Sequence, residues 1–129
     1  MIEKRKFKRY LPDSRAFACL RPGFQKLGKI MDISMGGLAF SYISDKDSIE
    51  KSHGVDIFLS GNNFFLNEIG CRVVYSYRIY SYLISGGMLN EWKCGIKFVS
   101  ATENQRRELK AFLNNHVKGK KNYKSQRDS

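Results

Sequence analysis

The chain has 129 residues, of which 42% are apolar and 13% aromatic, enough to fill the core of a single domain. It holds no run of about 20 apolar residues, and the opening Met1-Ile2-Glu3-Lys4-Arg5-Lys6-Phe7-Lys8 has no apolar secretory stretch, so a cytoplasmic protein without a membrane span is expected. The formal charge of +11 sits at the ends: residues 1–10 carry five cations against Glu3 and residues 118–129 carry five against Asp128, which leaves the middle nearly balanced.

In chain order, residues 1–13 read as a basic loop. Short strands are then expected at Arg15 to Arg21, Lys29 to Ile33, Leu38 to Ile43 and Val55 to Leu59, most of them bounded by Gly, Asn, Asp or Ser. Gly61-Asn62-Asn63 separates the last of these from Phe64-Phe65-Leu66, as a hairpin turn would. A long half-buried strand follows, with Ile69, Cys71, Val73, Tyr75, Tyr77 and Ile79 alternating against Gly70, Arg72, Val74, Ser76, Arg78 and Tyr80. Ser85-Gly86-Gly87 breaks the chain before a final strand at Trp92 to Val99. A helix is expected from Thr102 to about Lys118, where Leu109, Phe112, Leu113 and Val117 make one apolar face. Thr102 and Gln105 fit a capping box, and Gly119 stands where a left-handed C-terminal cap is wanted. The fold class is therefore mainly β: a six-stranded antiparallel barrel, closed because closure removes exposed edges, with a C-terminal α-helix packed on it. This body spans residues 14–118, and the basic tail 119–129 is expected to be disordered.

Catalysis has little support. Cys19, Cys71 and Cys94 lack zinc or redox spacing and read as small core residues. His53 and His116 lie far apart, and no phosphate loop, nucleophile motif or carboxylate pair is present. No catalytic residue, metal site or cofactor is expected.

Two segments stand out and complement each other chemically: Lys4-Arg5-Lys6-Phe7-Lys8-Arg9 and Asp32-Ile33-Ser34-Met35-Gly36-Gly37. Arginine presents a planar fork of donors that meets phosphate oxygens or the O6/N7 edge of guanine. Asp32 accepts from guanine N1 and N2, Ser34 gives or takes one hydrogen bond, and Gly37 lets the backbone turn sharply and a bulky ligand come close. Taken singly, a basic run is most often a solvated tail, and Asp-x-Ser before Gly-Gly an ordinary capped turn.

In their order and pairing these segments resemble the PilZ family, whose motifs are RxxxR, here Arg5 to Arg9, and D/NxSxxG, here Asp32 to Gly37. Cys94-Gly95-Ile96-Lys97-Phe98 looks like the family's Gly-x-x-Phe in the last barrel strand, so the resemblance covers about residues 3 to 117. It implies a bacterial receptor for cyclic diguanylate (c-di-GMP), with Lys4, Arg5, Arg9, Asp32, Ser34, Gly36 and Gly37 at the ligand. It also implies an arginine loop, mobile in the free protein, that orders over the nucleotide and re-aims a surface for a downstream protein partner. Arg72, Arg78, Trp92 and Lys97 are further pocket candidates, with core packing or a solvated barrel face the bland role for each. An interaction module of the same fold that binds no nucleotide is a third reading, against which the intact motifs stand. The runner-up is a small β-barrel that binds single-stranded nucleic acid through its basic ends and an aromatic strand face, Tyr75, Tyr77 and Tyr80 near Arg72 and Arg78; against it, Cys71, Tyr75 and Tyr77 follow a core-like alternation and the middle of the chain is weakly basic.

Overall fold

A computed structural model describes residues 7–22, 26–44 and 53–120. Its elements in chain order are β1 (Tyr10–Pro12), β2 (Ala16–Arg21), β3 (Leu27–Ile33), β4 (Gly37–Ser44), β5 (Gly54–Leu59), β6 (Phe65–Ile84), β7 (Gly87–Ser100), α1 (Glu103–Asn115) and β8 (Val117–Lys120). Six strands run β2-β5-β6-β7-β4-β3, and β3 pairs back onto β2 to close the ring, every pairing antiparallel. The chain is thus mainly β with a six-stranded ring and one C-terminal helix, as the alternation implied. Two short strands lie outside that ring: β1 and β8 pair with each other, and β1 touches β3 through Tyr10 opposite Ile33.

The ring forms because its strands present apolar residues at every second position to one interior. Ala16, Ala18 and Leu20 of β2, Leu38, Phe40 and Tyr42 of β4, and Val55, Ile57 and Leu59 of β5 are all essentially inaccessible. Burying each of the larger aliphatic side chains contributes roughly 1.5–3 kcal/mol. Leu109, Phe112 and Leu113 of α1 join the same core, with the Phe112 ring 5.1 Å from that of Phe64. The three cysteines are buried and unbridged, in strand positions as expected.

The helix begins where its sequence says. The Thr102 hydroxyl accepts from the Gln105 N–H (3.0 Å) and the Gln105 side-chain oxygen accepts from the Thr102 N–H (2.9 Å), a complete capping box. Its far end departs from expectation. The helix stops at Asn115 rather than Lys118, His116 caps it with its N–H on the Phe112 carbonyl (2.8 Å), and Gly119 is no left-handed cap. The cause is tertiary: Val117 and Gly119 pair with Pro12 and Leu11, and the Asp13 N–H takes the His116 carbonyl (2.8 Å), so strand pairing captures the chain. Residues 121–129 of the expected disordered tail lie outside the described residues.

The largest departure is in β6. Phe64-Phe65-Leu66 and the strand from Ile69 are joined through Glu68, whose backbone is left-handed (φ 45°) and whose N–H donates to buried Asp56 (2.7 Å). The strand then runs to Ile84 and turns at Ser85-Gly86 into β7, giving a long two-stranded hairpin. Two extra residues in β6, Val74 and Ile79, shift its register against β7. Ile69 and Cys71 are therefore buried and Val73 packs on the core, whereas Tyr75 and Tyr77, later positions of the same alternation, are exposed.

Candidate functional site

The β3–β4 connection is built by its own side chain. The Ser34 hydroxyl accepts from the Gly36 N–H (3.0 Å) and donates to the Gly37 carbonyl (3.3 Å), while the Ser34 N–H donates to that same carbonyl (2.8 Å). The turn needs no left-handed residue at Gly37; the requirement there is close approach. A Cβ on Gly37 would stand 2.2 Å from the Ile96 carbonyl oxygen of β7, so only a residue without a side chain lets β4 start against β7. A Cβ on Gly36 would stand 2.6 Å from the ring of Phe7, which lies across the turn.

The arm and the turn meet. Arg9 forms an ion pair with the carboxylate of Asp32, twenty-three residues on, and Asp32 is almost wholly buried beneath it. The charge is thereby compensated, which a carboxylate at that depth requires. Arg9 Nε is buried and has no hydrogen-bond partner among the described residues.

Beside this pair is a cavity of about 350 Å³, within the about 300–1,000 Å³ range of small-molecule sites. Of the residues singled out from sequence, Arg9, Ser34, Gly36 and Gly37 line it, and Asp32 sits behind Arg9. Lys97, a further candidate, lines it too; Arg72, Arg78 and Trp92 do not. Trp92 instead packs on the core and donates to the Ser44 carbonyl (3.3 Å). Lys4 and Arg5 lie outside the described residues.

Phe7, Leu38, Val74, Tyr75, Gly95 and Ile96 complete the wall, and the reading from sequence had assigned none of them to this site. Tyr75 is the most consequential. Its ring lies over Gly95, where a Cβ would meet it at 2.2 Å, and burial together with the nearby Asp32 carboxylate raises its pKa, against an opposing effect of Arg9. Its hydroxyl is therefore a donor at neutral pH. The one sequence signal for it was Gly95: a glycine inside a strand marks the close approach of another group.

The site thus combines two cations, a buried carboxylate paired with one of them, a phenol and an apolar wall. Such a set suits a planar, anionic, hydrogen-bonding ligand. Among the described residues no group of three or more His, Cys, Asp or Glu side chains gathers as a metal would require. No described helix is long and apolar enough to cross a membrane.

Comparison with known proteins agrees with this fold. The protein-family model of the PilZ domain matches residues 3–115. Among solved structures, the chain is similar to the PilZ domain with c-di-GMP of YcgR from Escherichia coli, with a TM-score of 0.59 and 10% identity over 87% of this chain and 91% of that one. It is also similar to MrkH, described as a c-di-GMP-dependent transcription regulatory factor, with a TM-score of 0.62 and 15% identity over 88% of this chain; that match spans about half, 51%, of the MrkH chain. No curated protein sequence gives a significant match.

Proposed function

The chain belongs to the PilZ domain family, and from that premise we propose that it is a receptor for c-di-GMP, a binding protein and not an enzyme. The nucleotide would sit between the arginine arm and the Asp32–Gly37 turn. The observation that carries this reading is the meeting of Arg9 and Asp32 at the rim of a cavity of ligand size. The YcgR structure, which holds c-di-GMP, lends support at the level of fold.

In the proposed exchange, phosphate or a guanine edge takes the guanidinium of Arg9, and the Asp32 carboxylate, released from it, accepts from guanine N1 and N2. Both groups are charged before and after, so the exchange replaces one charge-assisted bond with two or more. Ser34 and Lys97 stand where they add a hydrogen bond and a cation, and Tyr75 offers a ring face and a hydroxyl. Lys4 and Arg5 would close over the ligand from the arm, and Gly36 and Gly37 would leave it room. Because the arm is tethered through Arg9, its rearrangement re-aims the surface around Phe7, which is our proposal for how ligand reaches a downstream protein.

Isothermal titration with c-di-GMP tests this. A charged hydrogen bond is worth roughly 1.5–3 kcal/mol, so Arg9→Ala should weaken binding by about one to two orders of magnitude. Equal affinity in the parent and the Arg9→Ala protein would refute the clamp.

A further inference from the structure

We propose that the outer face of the β6–β7 hairpin binds single-stranded nucleic acid, with four tyrosines as a stacking platform and Arg72, Lys93 and Lys97 meeting the phosphates. The cross-strand register sets Tyr75 opposite Gly95, Tyr77 opposite Lys93, Tyr80 opposite Glu91 and Tyr82 opposite Leu89. Those partners alternate along an unbroken β7, so all four tyrosines share one face. Without the extra residue at Ile79 the row would stop at Tyr77, because Tyr80 and Tyr82 would point to the other side.

The four rings are 37%, 48%, 62% and 44% exposed in chain order, so they are not the core residues that simple alternation suggests. Tyr75 and Tyr77 stack with centroids 5.7 Å apart, and Tyr80 and Tyr82 are 6.2 Å apart. Such a row leaves a contiguous aromatic strip in water, which a monomer rarely does without a use for it.

Charge selects the occupant. Arg72 and Lys97, opposite each other, and Lys93 lie on the same face, and its one carboxylate, Glu91, is engaged by the Tyr82 hydroxyl (2.7 Å). From residue 72 to 97 there are four cations, Arg72, Lys93 and Lys97 on this face and Arg78, opposite Trp92, on the other, against that single acid. Residues 11–117 as a whole hold thirteen Lys/Arg and ten Asp/Glu, so this hairpin carries the entire positive surplus of the middle of the chain. A second copy of the chain would bring a like-charged face against it. An anion with flat faces fits, and every base has a π face to stack while its phosphates lie within reach of Lys and Arg. The expected preference is for single strands, with little regard to sequence.

The inference does not rest on the cyclic dinucleotide, since only Tyr75 and Lys97 belong to both the cavity and the strip. The full chain is titrated into a fluorescent oligodeoxythymidine of about 16 nucleotides, and anisotropy is read over a series of salt concentrations. We expect salt-dependent binding by the parent, a loss of about tenfold per tyrosine at every salt in Tyr77→Ala/Tyr80→Ala, and a salt slope shallower by about one in Lys93→Ala. Tyr77→Leu/Tyr80→Leu keeps the apolar bulk without the ring face and should lose affinity similarly. Neither tyrosine lines the cavity, so an unchanged melting temperature and c-di-GMP titration in these variants verify the fold. The proposal is overturned if the parent does not bind the oligonucleotide, or if folded tyrosine variants bind as tightly as the parent, which would leave the basic termini as the attraction. Failure of c-di-GMP to bind the parent would refute the receptor reading alone.

Discussion

Two glycines of the site are required for different reasons, and the difference is testable. The Cβ of an alanine at residue 37 would meet a backbone carbonyl, Ile96 O, which cannot move without parting β4 from β7. Gly37→Ala should therefore cost about 1–3 kcal/mol, the range of overpacking, read as a lower urea midpoint. At residue 95 the obstacle is the ring of Tyr75, which can swing outward. Gly95→Ala should lose less stability but weaken c-di-GMP binding through the displaced wall; a larger loss of stability at 95 than at 37 would contradict this account. At this scale Arg9 and Asp32 were legible, because their complementary chemistry stands in two short motifs. Val74, Tyr75 and Ile96 were not: their place in the wall follows from a bulge and a cross-strand register, and neither leaves a mark in composition.

Elements were legible where their signals are local. The Thr102–Gln105 capping box was read from spacing alone, because both partners lie within one turn. Thr102→Ala should cost about 1 kcal/mol, observed as a lower denaturant midpoint with an unchanged slope. The other end of the helix was misread because Val117 serves two patterns, the helical stripe and the strand paired with β1, and hydrogen bonds to residues a hundred positions earlier decide between them. Likewise Phe64-Phe65-Leu66 and the strand from Ile69, read separately, form one strand with a bulge between them, held by the buried carboxylate of Asp56.

The whole molecule is a closed ring in which burial raises the pKa of Cys71 and Cys19. Burial pushes Cys71 up to about 11 from an ordinary 9.0, and raises Cys19, where the Asp56 carboxylate adds to the effect and Arg21 opposes it. A raised folded-state pKa means the fold binds the proton more tightly than the unfolded chain does. Its contribution is complete below pH 9 and is lost as pH climbs from there towards 11. The urea midpoint should fall over that window, and Cys71→Val, which removes the titrating group at similar volume, should fall less. The mainly β class, the helix start, the burial of the cysteines and the two segments that meet at the site follow from the order of residues along the chain, because period-2 alternation, capping chemistry and side-chain complementarity are properties of short stretches. That β3 closes on β2, that Arg9 covers Asp32 and that four tyrosines line one face of a hairpin emerge only in the folded chain. Each of these depends on register against a strand distant in sequence, and one inserted residue reverses every side chain beyond it.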